Sequence, residues 1–164
     1  MALNEPMLAE FKVESALTRK MLERVPFDNI DWQPHQKSMT IQRLSSHIAE
    51  IPLWMIRILQ DKDFDFQSHR MERFFARDSA ELIKRFDEVQ AQSRQALQEA
   101  TDEQLLFKWS MRNGEQIFYT LPRWVAIRNM VFSHIIHHRG QLSVYLRLNQ
   151  IPVPGMYGPS ADER

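Results

Sequence analysis

The stretch RWVAIRNMVFSHIIHHRGQLSVYLRL, residues 123–148, decides how this chain folds. Within it Trp124, Ile127, Val131, His134, His138, Gln141, Tyr145 and Leu148 recur at alternating spacings of three and four, one face of a long helix. Apolar residues hold both ends of that seam, and two histidines and a glutamine hold its middle. The seam therefore predicts that His134 and His138 face the interior of a helical assembly, with His137 toward the rim. Flanking signals set this helix at about Thr120 to Asn149, with Pro122 early in it and Pro152 just past its end.

Three further amphipathic helices are predicted upstream. Residues 4–25 open with Asn4 as N-cap and Pro6 in the first turn, and carry Leu8, Phe11, Ser15, Thr18, Leu22 and Val25 on one stripe. Two of those residues, Ser15 and Thr18, are small and polar. They suggest a polar cavity, or hydrogen bonds to buried histidines. After a loop bracketed by Pro26 and Pro34, a second helix starts near Thr40 with Ile41, Leu44, Ile48, Ile51, Met55 and Ile58 inward. Pro52 falls inside that pattern, lacks an amide donor and crowds the Ile48 carbonyl, so a kink is expected one turn beyond His47. Residues 61–77 read as a polar, aromatic-spotted connection. The third helix begins at Asp78, with Glu81 completing a capping box, and turns Leu82, Phe86, Val89, Ser93, Ala96 and Ala100 inward. Between it and the last helix, a second cap at 101–105 precedes alternating residues around Asn113-Gly114, which predicts a short β-hairpin centred on that pair.

The expected fold is all-α: a kinked, antiparallel four-helix bundle with a short β-hairpin before the last helix, forming one domain over residues 1–164. A chain of 164 residues with no cysteine can bury a core unaided, and it offers no disulfide, thiolate metal site or cysteine nucleophile. The 21 basic and 21 acidic residues balance and are dispersed, which argues against a nucleic-acid partner. The first 15 residues lack the order of a secretory signal, and no apolar run approaches the ~20 residues that span a bilayer. A cytoplasmic protein without a membrane partner is expected.

Two neighbouring imidazoles in an interior need partners for their nitrogens. Histidines at i and i+4 on a helix can both reach one cation, and a facing helix must then supply a third ligand. His47 is the best placed, since it flanks the second helix's stripe one turn from the proline. Three neutral histidines leave a coordination position open, as catalytic rather than structural sites do. Spacing alone leaves a second reading open: two core histidines bonded to hydroxyls or carbonyls, with no metal.

Two segments, HIAEIPLW (47–54) and MVFSHIIHHRGQLSVYLRLNQIPVPGMYGPSADE (130–163), resemble the DinB/YfiT-like family of metalloenzymes, in a short-chain subgroup labelled DinB or damage-inducible protein. The resemblance covers nearly the whole chain and has nothing to do with the DNA polymerase of similar name. It implies a kinked four-helix bundle with one divalent metal, and carries the metal ligands onto His47, His134 and His138. It further implies an enzyme that activates a low-molecular-weight thiol, like the bacillithiol and mycothiol transferases and the mycothiol-dependent maleylpyruvate isomerase, or a hydrolase that activates water. A non-enzymatic, metal-binding stress-response protein is the alternative. Zinc or nickel leads the expectation for the metal, though three imidazoles also accept iron, cobalt or copper.

No catalytic residue beyond these ligands is assigned from sequence. Glu50, one turn from His47, could support the site or act as a base. Gln141 could bond a metal-bound water or a core carbonyl. Arg139 is expected to snorkel outward as a surface or interface ion-pair partner. His35 and His69 fall in loops and should be solvated. Outward apolar residues such as Val144, together with the resemblance, suggest a homodimer. The tail IPVPGMYGPSADER (151–164) is too rich in proline and glycine for helix and is expected to fold back over the helices.

Overall fold

The computed structural model describes residues 2–69 and 72–163. Helix α1 spans Asn4–Leu22. Asn4 is not its cap. Leu3 precedes the helix and gives its amide to Asp102 Oδ1 at 2.8 Å. The Asn4 side chain instead reaches the carbonyls of Leu97, Gln98 and Ala100 at 3.1–3.3 Å. These lie at the end of α4 (Ser79–Glu99), where a helix leaves its last carbonyls without intrahelical donors. The residue thus caps a neighbouring helix rather than its own.

The second predicted helix is interrupted at Ile51-Pro52, where the kink is expected, with both residues keeping right-handed helical backbone angles. Thr40 caps α2 (Ile41–Glu50), its Oγ1 accepting the Arg43 amide at 3.1 Å. Pro52 then serves as the N-cap of a separate helix, α3 (Leu53–Gln60). Ser93 on α4 donates to the Pro52 carbonyl at 2.7 Å, so a polar residue on an otherwise apolar stripe ties α4 to the break. At the start of α4, Asp78 Oδ1 accepts the Glu81 amide at 2.8 Å, but the Glu81 carboxylate turns to the Arg77 amide and guanidinium, so the reciprocal half of the capping box is not made. That full box forms at α5 (Asp102–Leu106), between Thr101 and Gln104.

The fold is mostly helical but not purely so. A three-stranded sheet in the order β1-β2-β3 sits beside the helices. Strands β2 (Lys108–Asn113) and β3 (Gln116–Pro122) form the predicted hairpin, with Asn113 paired to Gln116. Its two-residue turn is therefore Gly114-Glu115, one position later than expected. Gly114 has φ +59° and no other turn residue has a positive φ, which is the requirement of a turn with glycine in its first central position. Strand β1 (Asp63–Asp65) pairs in parallel with β2 inside the segment read as a connection. Buried Asp65 accepts the Gln67 and Gly114 amides at 2.9 Å each and pairs with Arg112 at 2.8 Å, fastening β1 to the hairpin.

The last predicted helix begins three residues later than expected, because Thr120–Pro122 belong to β3. It runs as α6 (Arg123–Ile127), a π-helical turn (Arg128–Ser133) and α7 (His134–Leu148). A π turn takes in one extra residue, which rotates everything after it by about 100°. The single straight seam is therefore lost. Ile127 is buried before the turn and Val131 within it, whereas Ile135, His138, Arg139, Leu142, Tyr145 and Leu146 are buried after it. Trp124 and Leu148, the seam's two ends, are 40% and 57% exposed.

Helix α1 packs against α4 and α7, α2 against the same two, and α3 against α4 and α6. One apolar cluster gathers Phe11, Ile58, Phe64, Trp109 and Phe132; another gathers Met21, Leu44, Ile48, Phe86 and Leu146. The tail does fold back. Tyr157 Oη donates to Glu14 on α1 at 2.9 Å, Asp162 pairs with Arg147 on α7 at 2.6 Å, and Met156 packs on the second cluster. Val144 is exposed as expected. Among the described residues no helix is long and apolar enough to cross a membrane.

Candidate metal centre

The proline break and the π turn bring three imidazoles to one point. His47 lies in the last turn of α2, and His134 and His138 lie one turn apart at the start of α7. One ring nitrogen from each lies within 4.8 Å of the other two. His137 is exposed; its ring contacts that of His138 but is not part of the group.

Hydrogen bonds fix which nitrogens face inward. His134 Nδ1 lies 3.3 Å from the Met130 carbonyl, which can only accept, so Nδ1 carries the proton. The His134 backbone amide goes to Val131 O and does not compete with the ring for Met130 O. His138 Nδ1 lies 2.7 Å from Gln141 Oε1, again an acceptor. Both rings thus turn an unprotonated Nε2 away from those partners, the arrangement by which a hydrogen bond to one ring nitrogen prepares the other for a metal. Gln141 is exposed and its Oε1 orients His138 rather than bonding a core carbonyl.

His47 Nε2 lies 3.2 Å from His134 Nε2. With a lone pair on His134, that contact is stable only with a proton or a cation between the rings. A tetrahedral ion with Zn–N bonds of ~2.0–2.1 Å holds its ligand atoms about 3.3 Å apart, so the residues fit such an ion. Burial, followed by the neighbouring His134 and His138, lowers the pKa of His47 to about 3. Burial and then His138 lower that of His134 to about 4. His138 is lowered mainly by burial, with Gln141 opposing. All three rings are neutral at pH 7, as metal ligation requires.

These shifts set an acid limit on stability. The rings protonate more readily in the unfolded chain, near 6.5, than in the folded one. Their contribution is therefore complete above about pH 6.5 and is lost progressively as the pH falls, down to about 4 for His134 and about 3 for His47. In chelator-treated protein the urea midpoint should fall across that window, and His47→Gln should flatten the decline.

A pocket of about 370 Å³ opens beside the histidines. Arg43, His47, Glu50 and Trp54, spaced along one face of α2 and α3, form one wall, with Met130 and His134 across from them. Phe66, His69, Glu72 and Arg73 come from the segment read as a plain connection. His69 is exposed as expected, yet it borders this pocket, its ring lying against Phe64. His35 is exposed and away from it. Glu50 lines the pocket, but its oxygens hold the Phe74 amide and the Arg85 guanidinium, both at 3.2 Å, which makes it a tie between segments. Sequence reasoning passed over Arg43 and Arg73. Arg43 was detectable, standing one turn before His47.

Two expectations are overturned nearby. Arg139 does not snorkel; it is 2% exposed, and its guanidinium meets Glu14 Oε2 at 2.6 Å, Glu14 O at 3.1 Å and Thr18 Oγ1 at 3.0 Å. Thr18 therefore serves this arginine, not the histidines, and Ser15 Oγ is buried without a partner.

The DinB family profile matches residues 1–164, and the chain belongs to the DinB family, which is distinct from the DNA polymerase of similar name. It is 25% identical over 165 residues to uncharacterized protein YrdA of Bacillus subtilis, covering 95% of this chain and 89% of that one. Its fold is similar to that of a DinB-like protein from Bacillus cereus, with TM-score 0.70, 22% identity and coverage of 93% of this chain and 97% of the other. It is also similar to a DinB-like protein, YjoA, from Bacillus subtilis, with TM-score 0.69, 20% identity and coverage of 90% and 96%.

Proposed function

We propose that this chain is a metal-dependent enzyme that holds one divalent cation through His47, His134 and His138, and acts as a small-thiol S-transferase or a hydrolase. The observation that carries the reading is the convergence of three neutral ring nitrogens, two of them presented by hydrogen bonds on the far side of their rings. A divalent cation there supplies Lewis acidity, lowering the pKa of a water or thiol so that a nucleophile exists near neutral pH. Three imidazoles leave room for that fourth ligand. Zinc or nickel suits them, with metal supply deciding between these and iron, cobalt or copper. The apolar walls Ile51, Trp54 and Met130 keep water from a substrate's body, while Phe66 and His69 border the mouth. The helical rods α1, α2–α3, α4 and α6–α7 are read as a kinked four-helix bundle that pins the ligands from two sides.

The test is metal analysis of protein purified without a nickel column, followed by turnover assays of thiols with electrophiles and of esters and amides, each with and without chelator. About one metal per chain and chelator-sensitive turnover support the reading. Metal without turnover would leave a metal-binding protein that performs no chemistry, and no metal would refute the site.

A further inference from the structure

We infer that the same pocket binds a small molecule bearing a carboxylate, and that Arg43, assisted by Arg73, receives that carboxylate while the ligand's other end meets the cation. The inference deepens the proposed metal reading and rests on it for where the reacting atom lies.

Arg43 stands one turn before His47 on α2, so the two side chains project from the same face. Both line the cavity that His134 closes. Among the described residues the Arg43 guanidinium makes neither a hydrogen bond nor an ion pair, and its Nη1 is buried with no partner. A buried arginine donor without an acceptor is uncommon, because the fold gives up solvation there and gains no bond. The neighbouring Phe75 ring, 5.8 Å from the guanidinium carbon, helps hold the group in place. Arg73 lines the same pocket; Arg43's own burial, and then the charge of Arg73, push Arg43 below its usual pKa, with Glu50 opposing. The pocket's two carboxylates leave this charge without a bonded partner. Glu50 is bonded to Arg85 and the Phe74 amide, and Glu72 is exposed. A planar guanidinium fork with free donors matches a carboxylate in two parallel bonds. The lining's two arginines and two glutamates balance, so a divalent cation on the three histidines makes the pocket net positive and favours an anion.

The experiment uses the zinc-loaded full chain, with 3-mercaptopropionate and its neutral amide, 3-mercaptopropionamide, as probes. The two share a thiol and differ only at the acid. Calorimetric titration should show the carboxylate binding at least ten-fold tighter than the amide. Arg43→Met should abolish that preference with its zinc content unchanged, and Arg73→Gln, on the exposed rim, should reduce it in part. If Arg43→Met does not fold, Arg43→Lys, which keeps the charge and loses the fork, should reduce the preference several-fold. Equal binding of the two probes to wild type, no binding of either, or a preference that survives in the folded Arg43 variant would overturn the inference. Zinc content, measured on the same samples, separates the two readings. An Arg43-dependent preference in protein that holds no zinc would support the anion site while refuting the metal.

Discussion

Glu14→Ala should lower stability by about 3–5 kcal/mol, the cost of leaving a buried charge without its partner. Arg139 is 2% and Glu14 6% exposed, and α1 and α7 meet at this pair. The guanidinium spends its donors on the Glu14 carboxylate and backbone carbonyl, the Thr18 hydroxyl and Tyr157. Removing the carboxylate strands a cation whose remaining neighbours are neutral. Urea unfolding reads this as a lower midpoint at unchanged slope. The double variant Glu14→Leu/Arg139→Met should lie closer to wild type than either single charge deletion, since an apolar pair of similar volume needs no desolvation. Tyr157→Phe removes the bond donated to Glu14 and the one accepted from Arg139, and should cost about 1–3 kcal/mol, less than the charge deletion because Arg139 still holds the carboxylate. A Glu14→Ala midpoint equal to wild type would mean that the pair does not hold α1 to α7.

The same arginine shows where sequence reading stops. A charged residue beside two histidines looks like surface, and nothing local in HHRGQ announces a glutamate 125 positions earlier as its partner. The apolar stripes of α1, α2 and α4 were legible because their burial follows an uninterrupted helical period. Pro52 was legible as a disturbance because its ring and missing amide act locally. The π turn was not. Its extra residue leaves composition unchanged and only rotates the helix beyond it, so a seam drawn straight from Trp124 to Leu148 puts both ends in solvent. His134 and His138 survive that error because they lie one turn apart on the far side of the turn, where their mutual spacing is still helical. Strand β1 was missed for a related reason. Three residues carry no period, and their pairing depends on Asp65 binding the hairpin amide at Gly114. The histidine cluster was legible as residues, but the outward bonds that orient its rings, to Met130 O and Gln141 Oε1, belong to side-chain geometry.

His134→Ala should weaken metal binding by more than ~100-fold, the upper end of what loss of a mere supporting partner costs. The argument rests on which atoms face the centre. His134 shares the 3.2 Å contact with His47 and is oriented by the Met130 carbonyl, so its removal deletes one ligand and frees the ring of another. Competition against a chromophoric chelator for zinc measures the loss. Gln141→Leu deletes only the acceptor that holds the His138 tautomer, and should cost about 10–100-fold. His137→Ala, exposed and outside the group, should leave affinity unchanged. Stability should move the other way in metal-free protein: with one buried imidazole gone, the acid decline between pH 6.5 and about 4 becomes shallower for His134→Ala. The opposed signs matter, because a histidine cluster that only packs would show the acid effect without any graded loss of zinc. An equal zinc affinity in His134→Ala and His137→Ala would remove the cation from the centre and return the three rings to that role.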